Sequence, residues 1–160
     1  MIAPRPVATF GAGCFWSVES AFRRLPGVLR TSVGFMGGCT EAPTYGLVCI
    51  GNTGHAEVVQ MVYDPDLITY EQLLSCFWKC HDPTSGVKAE LATENQYRSV
   101  IFYHSDDQLY AANSSKAAEQ VNHKATIPTQ IHPAGTYTLA DSSHQHYEEK
   151  HAFLNASQTR

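Results

Sequence analysis

The spacing of apolar residues along the chain changes several times, and each change marks an element. Residues 6–10 form a short β-like run. After it, Val18, Ala21, Phe22 and Leu25 recur at three- and four-residue spacing. That period predicts a helix stopping at Leu25-Pro26-Gly27. Residues 28–35 read as a strand running into Gly37-Gly38. Residues 39–54 carry neither period and predict a long irregular loop, a kind that is usually functional. In residues 55–63, Glu57, Val59, Met61 and Tyr63 share one strand face, and Ala56, Val58, Gln60 and Val62 share the other. Both faces are largely apolar, as in a central strand covered on both sides. Asp64-Pro65-Asp66 predicts a turn. Thr69 with Gln72 forms a capping box before the apolar positions Leu73, Leu74, Phe77 and Trp78. Residues 100–103 form a short strand, and Ser105 with Gln108 reads as a second capping box on a weakly amphipathic helix reaching about Val121. Residues 129–132 and 136–139 read as an edge hairpin around Pro133-Ala134-Gly135. Capped helices between strands predict a two-layer α/β sandwich, with residues 1–160 as a single domain.

Composition narrows the class. The hydrophobic share is 43%, ordinary for a folded protein, so disorder is not expected. Net charge is −4 with no long run of either sign, which argues against a nucleic acid or an anionic membrane as partner. No apolar run approaches the roughly 18 residues of a membrane span. Residues 1–6 are too short and polar for a secretory signal. The five cysteines are Cys14, Cys39, Cys49, Cys76 and Cys80. An odd count argues against a disulfide framework and suits a reducing, cytoplasmic setting. Cys76 and Cys80 put only two sulfurs on one helix face, with no second pair at zinc spacing. No metal is expected, and these two read as packed core thiols.

The candidate chemistry sits in Gly11-Ala12-Gly13-Cys14-Phe15-Trp16. Cys14 falls at a strand-to-helix turn, where two glycines let the backbone bend. A helix N-terminus offers unpaired N–H groups and the positive end of the dipole, which favour a thiolate. A cysteine so placed is expected to be more nucleophilic than a free one. The other reading is a small buried cysteine with two aromatics capping a core. Glu57 also carries two readings: a desolvated carboxyl held protonated as a general acid, or a strand-end glutamate facing water. Glu19 and Arg23, four apart, read as a solvated-face pair, and His104 and His123 as surface residues.

Gly13-Cys14-Phe15-Trp16 resembles the signature of the class A peptide methionine sulfoxide reductases, and the resemblance continues in order along the chain. Gly37-Gly38, Pro43-Thr44-Tyr45, Val48-Cys49 and Thr53-Gly54-His55-Ala56-Glu57 resemble the family's second block. Phe77-Trp78 and His81-Asp82-Pro83-Thr84 follow, then Gln96-Tyr97-Arg98-Ser99 as the third block. His144-Gln145-His146-Tyr147 is close to a family run near the domain's end, with Ser143 in place of the usual aromatic. The resemblance implies an α+β fold, a two-layer sandwich with a mixed sheet and a ferredoxin-like core.

It also implies roles. Cys14 attacks the sulfoxide sulfur. Phe15 and Trp16 wall the S-methyl group. Glu57 protonates the oxygen with help from Tyr45 and Tyr97, and Cys14 is left as a sulfenic acid. The substrate is methionine S-sulfoxide, free or in proteins, and the protein is expected to act as a monomer without a bound cofactor. An external thiol reductant (thioredoxin, glutaredoxin or glutathione) restores the enzyme. Further features depart from the family. Ala92 and Glu94 stand where an aspartate and a glycine are usual, which removes an acceptor and disfavours a left-handed backbone. Residues 155–160 hold no cysteine, where many members carry a resolving one. Cys39 replaces a usual tyrosine on the active-site loop and is the first internal candidate for that role. Two alternatives remain: a Cys/His thiol hydrolase, with His55 or His144 as partner, and a module that binds oxidised methionine with little turnover.

Overall fold

The computed structural model describes residues 5–38, 54–84 and 96–151. Its strands are β1 (Val7–Ala12), β2 (Val28–Met36), β3 (Ala56–Tyr63), β4 (Ser99–Tyr103), β5 (Gln130–Pro133) and β6 (Thr138–Leu139). Among the described residues three α-helices lie between them: α1 (Phe15–Arg23), α2 (Tyr70–Lys79) and α3 (Asp106–Gln120). A short 3-10 turn, Ser142–His144, precedes helical residues 147–151.

The six strands form one sheet in the order β5-β4-β1-β3-β2-β6. The inner four, β4-β1-β3-β2, are antiparallel throughout, as in a ferredoxin-like core. Pairing of β5 with β4 is parallel, which makes the sheet mixed. The expected two-layer α+β architecture is therefore present.

All three helices pack on one face. Phe10, Phe15, Phe22, Val33, Val59, Met61, Leu73, Leu74 and Phe77 fill that layer. Phe10 stacks on Phe22 at 5.3 Å and meets Phe77 at 5.2 Å, tying α1 and α2 to the central strand. A smaller cluster of Met36, Ala56, Val58, Val100 and Phe102 covers the other face, closed by Ala134 and Tyr137. This second cluster explains why β3 is apolar on both faces. The Thr69–Gln72 capping box forms in both directions, at 2.8 and 3.1 Å.

Two local expectations are corrected. Residues 129–132 and 136–139 do not pair with each other. β5 joins one edge of the sheet and β6 the other, and the chain between them crosses the face where Tyr137 lies. Gly34 permits that crossing, since a Cβ there would clash with the Thr138 carbonyl. The α3 cap is only half of a capping box. Ser105 accepts from the Gln108 N–H, but the Gln108 side chain instead accepts from His104 N–H and donates to the Val7 carbonyl. His104 itself reaches buried Thr9 at 2.8 Å, so it is not simply a solvated residue.

Candidate active site

β1 ends where β3 and β4 begin, because the antiparallel register sets Ala12 opposite Ser99 and carries the start of β3 past the same edge. Gly13 turns the chain there with φ +106°, a left-handed conformation that glycine adopts with little strain. Cys14 follows as the N-cap of α1, with extended backbone angles. Its carbonyl accepts from the Val18 N–H at 3.4 Å and from the Ser17 hydroxyl at 3.1 Å.

Three influences compete at the Cys14 sulfur. Burial is the largest and pushes the thiol above its ordinary 9.0. The Trp16 and Ser17 N–H groups pull it back, as expected at a helix N-terminus. The charges of Glu57 and Glu148 push it up again. The net direction is upward, so the expectation of a thiolate activated by the helix end alone is corrected. The helix contribution is present, and dehydration outweighs it.

Glu57 is 0% exposed, which excludes the water-facing reading. It shares the helix-side face of β3 with Val59 and Met61. The Phe15 N–H, in the first turn of α1, donates to Oε1 at 3.3 Å. Gln96 Nε2 donates to Oε2 at 2.7 Å, and the Glu57 N–H donates to the Gln96 carbonyl at 2.8 Å. Burial raises the carboxyl's pKa while the two donors oppose it, with burial the stronger. A carboxyl biased toward its protonated form thus lies beneath the helix turn that carries Cys14.

Phe15 is fully buried, with its ring 5.7 Å from both Phe35 and His144. Trp16 is half-buried. Its Nε1 donates to His144 Nδ1 at 3.1 Å, and its ring stacks on Tyr147 at 3.9 Å. Tyr97 is 41% exposed and follows Gln96 directly. Tyr45, Cys39, Cys49, Ala92 and Glu94 lie outside the described residues. Of the two histidines weighed as thiol partners, His55 accepts the Gly38 N–H at 3.0 Å and His144 holds Trp16.

The Glu19–Arg23 reading is also corrected. Glu19 is 1% exposed and accepts from Thr31 and from the His146 N–H, while Arg23 pairs with Glu149 at 2.8 Å. Gln96 and Tyr147 join the site without having been singled out from the sequence, and Glu19 does so against its reading as a solvated-face residue. Gln96 and Tyr147 sit in quoted motifs, but nothing in the motifs names their partners. Cys76 and Cys80 are half-buried against the core rather than fully packed, and border a cavity of about 550 Å³ between α1 and α2. Burial pushes the Cys80 thiol up to about 12. Among the described residues no group of three or more His, Cys, Asp or Glu is placed to hold a metal ion.

A central antiparallel sheet with a cysteine at the first helix N-terminus and a buried acid beneath it defines a class of α+β thiol enzymes. The model of one family, peptide methionine sulfoxide reductase, matches residues 6–160. The peptide methionine sulfoxide reductase MsrA of Geobacter sulfurreducens is 54% identical over 145 residues, spanning 89% of this chain and 90% of the relative. Reduced Mxr1 from Saccharomyces cerevisiae has a similar structure, with TM-score 0.83 and 32% identity over 94% of this chain and 87% of that one. Mxr1 in complex with Trx2 gives TM-score 0.65 at 27% identity, covering 92% and 87%. The chain belongs to the peptide methionine sulfoxide reductase family and is an oxidoreductase of that class. No helix among the described residues is long and apolar enough to cross a membrane.

Proposed function

We propose that this protein reduces methionine S-sulfoxide, free or in proteins, through Cys14, with Glu57 as the acid. The observation that carries this reading is the buried Glu57 carboxyl, bonded to the Phe15 N–H one residue from Cys14. Phe15 and Trp16 hold the S-methyl group in an apolar wall. The Cys14 sulfur attacks the sulfoxide sulfur, and the S–O bond passes from that sulfur to the cysteine. Glu57 donates its proton to the oxygen as charge develops there, and the hydroxyls of Tyr45 and Tyr97 donate hydrogen bonds to it. The Cys14 thiol proton then restores the Glu57 acid. The balance is one thiol plus one sulfoxide giving one sulfenic acid plus one thioether, with two electrons moving from the cysteine to the substrate sulfur.

The raised Cys14 thiol fits this scheme. Burial is what chiefly opposes its ionisation; the Glu57 charge adds to it, and that added part is absent while Glu57 is protonated. An outside dithiol of the thioredoxin or glutaredoxin type, or glutathione, then returns the sulfenic acid to thiol and releases water. A thioredoxin partner is supported by the Mxr1 complex with Trx2, and a reducing compartment such as the cytoplasm by the odd cysteine count. Cys39 is an internal alternative as resolving group. The chain acts as a monomer and as one domain, the latter supported by a family model spanning residues 6–160.

The test mixes pre-reduced protein with one equivalent of a methyl sulfoxide and no reductant, then counts thiols. One thiol lost with thioether formed supports Cys14 alone and an outside reductant. Two lost supports an internal resolving thiol, which peptide mapping identifies. No loss and no thioether overturns the reading in favour of a binding module.

A further inference from the structure

Residues 141–151 cross α1 and β2, and one of their anchors is a buried carboxylate. Glu19 Oε1 accepts the His146 N–H at 2.7 Å, and Oε2 accepts the Thr31 hydroxyl of β2 at 2.9 Å. His146 has φ +52°, a strained left-handed value for a non-glycine residue, held where Glu19 binds its N–H. Arg23, one turn further along α1, donates to His146 Nε2 at 3.0 Å and to Glu149 at 2.8 Å. Gln145 completes the anchor by accepting the Val33 N–H and donating to the Val33 carbonyl, each at 2.8 Å. On either side of this pinned residue, His144 accepts from Trp16 Nε1 and Tyr147 lies flat against the Trp16 ring. Tyr147 is in turn backed by His151 at 3.7 Å.

We infer that Glu19 is a positioning residue for substrate selection: through His146 it sets His144 and Tyr147 against Trp16 and so fixes the wall that measures the sulfoxide's alkyl group. Trp16 is half-buried, and a half-buried indole on the first turn of a helix needs outside contacts to hold one rotamer. Those contacts come from a segment 128 residues away in sequence, and Glu19 is the buried group that joins that segment to the same helix. This inference rests on the reading of Phe15 and Trp16 as the methyl wall.

The test compares kcat and KM for a methyl sulfoxide and the matching ethyl sulfoxide, with a dithiol reductant. Glu19→Ala is expected to raise KM for the methyl substrate about tenfold with kcat within about threefold, and to lower methyl-over-ethyl preference at least about threefold. Glu19→Gln keeps an acceptor for the His146 N–H and is expected to restore both. Tyr147→Leu leaves the Glu19 bonds in place and should reproduce the loss of preference, which keeps the test open should Glu19→Ala fold poorly. The double variant should lose clearly less than the sum of the two single changes, since both act on the same wall. Unchanged preference in Glu19→Ala and Tyr147→Leu, or additive losses, overturns the inference. Trp16→Leu separates the two readings. If it leaves KM and preference unchanged, the methyl wall itself is wrong. If it changes them while Glu19→Ala does not, only the role of Glu19 is.

Discussion

Cys14 and Cys80 are the same residue in similar burial at opposite ends of helices. Cys14 is the N-cap of α1, and Cys80 is the C-cap of α2. Burial pushes both thiols up. At Cys14 the Trp16 and Ser17 N–H groups offset part of that, because helix N-termini present unpaired donors. At Cys80 the helix end presents carbonyls, and the thiol donates to the Phe77 carbonyl at 3.3 Å, a bond that needs the proton in place. The neighbours differ as well. Cys14 has a buried carboxyl beside it, whereas Cys80 has a second thiol, Cys76, whose thiolate would oppose its own ionisation. Half-burial therefore does not make the two thiols equivalent. Which end of a helix each meets, and whether a carboxyl lies beside it, sets them apart.

The largest expected effect tests the comparison directly. Cys14→Ser should lower single-turnover thioether formation by about 10³-fold or more, while Cys76→Ser/Cys80→Ser should retain turnover within about threefold. Loss of activity in the second variant would break the contrast. Next in size, Glu57→Gln should slow turnover by about 10–10³-fold, as expected for loss of a buried general acid. The same change should accelerate alkylation of Cys14 by iodoacetamide at pH 8, because the carboxylate charge that raises the thiol is gone. Slower alkylation would mean that Glu57 assists ionisation instead. Across pH, Cys14 alkylation in the wild-type protein should rise with a midpoint above 9.0, while Cys80 stays unmodified until pH nears its value of about 12. Mapping the alkylated peptides across pH 7–11 checks the rise at Cys14 and its absence at Cys80. Tyr97→Phe should cost less than Glu57→Gln, about three- to tenfold in kcat, since one hydroxyl donor among several is lost. The smallest effect is Cys80→Ala, expected to cost about 1 kcal/mol in urea unfolding for the lost thiol hydrogen bond, with turnover unchanged.

Local pattern made much of this molecule legible from its sequence. The strand-turn-helix around Gly13-Cys14, the two-faced strand carrying Glu57, and the Thr69 cap depend on residues close in sequence, so their spacing alone shows them. Motif order identified the family for the same reason, since each block is a short local string. Other features depend on partners far apart in the chain. Residues 129–132 and 136–139 have the pattern of a hairpin, but opposite sheet edges offered each its pairing. Glu19 and Arg23 look like an exposed helical pair until Thr31, His146 and Glu149 are brought over them. The direction of the Cys14 shift also needed the folded molecule. Helix position can be read along the chain, but the water removed from a sulfur depends on everything packed around it. The sequence by itself determined which residues could do the chemistry. Only the tertiary structure decided which of them are dehydrated, paired and aimed at one another, because burial and long-range contact are properties of the assembled sheet and helices.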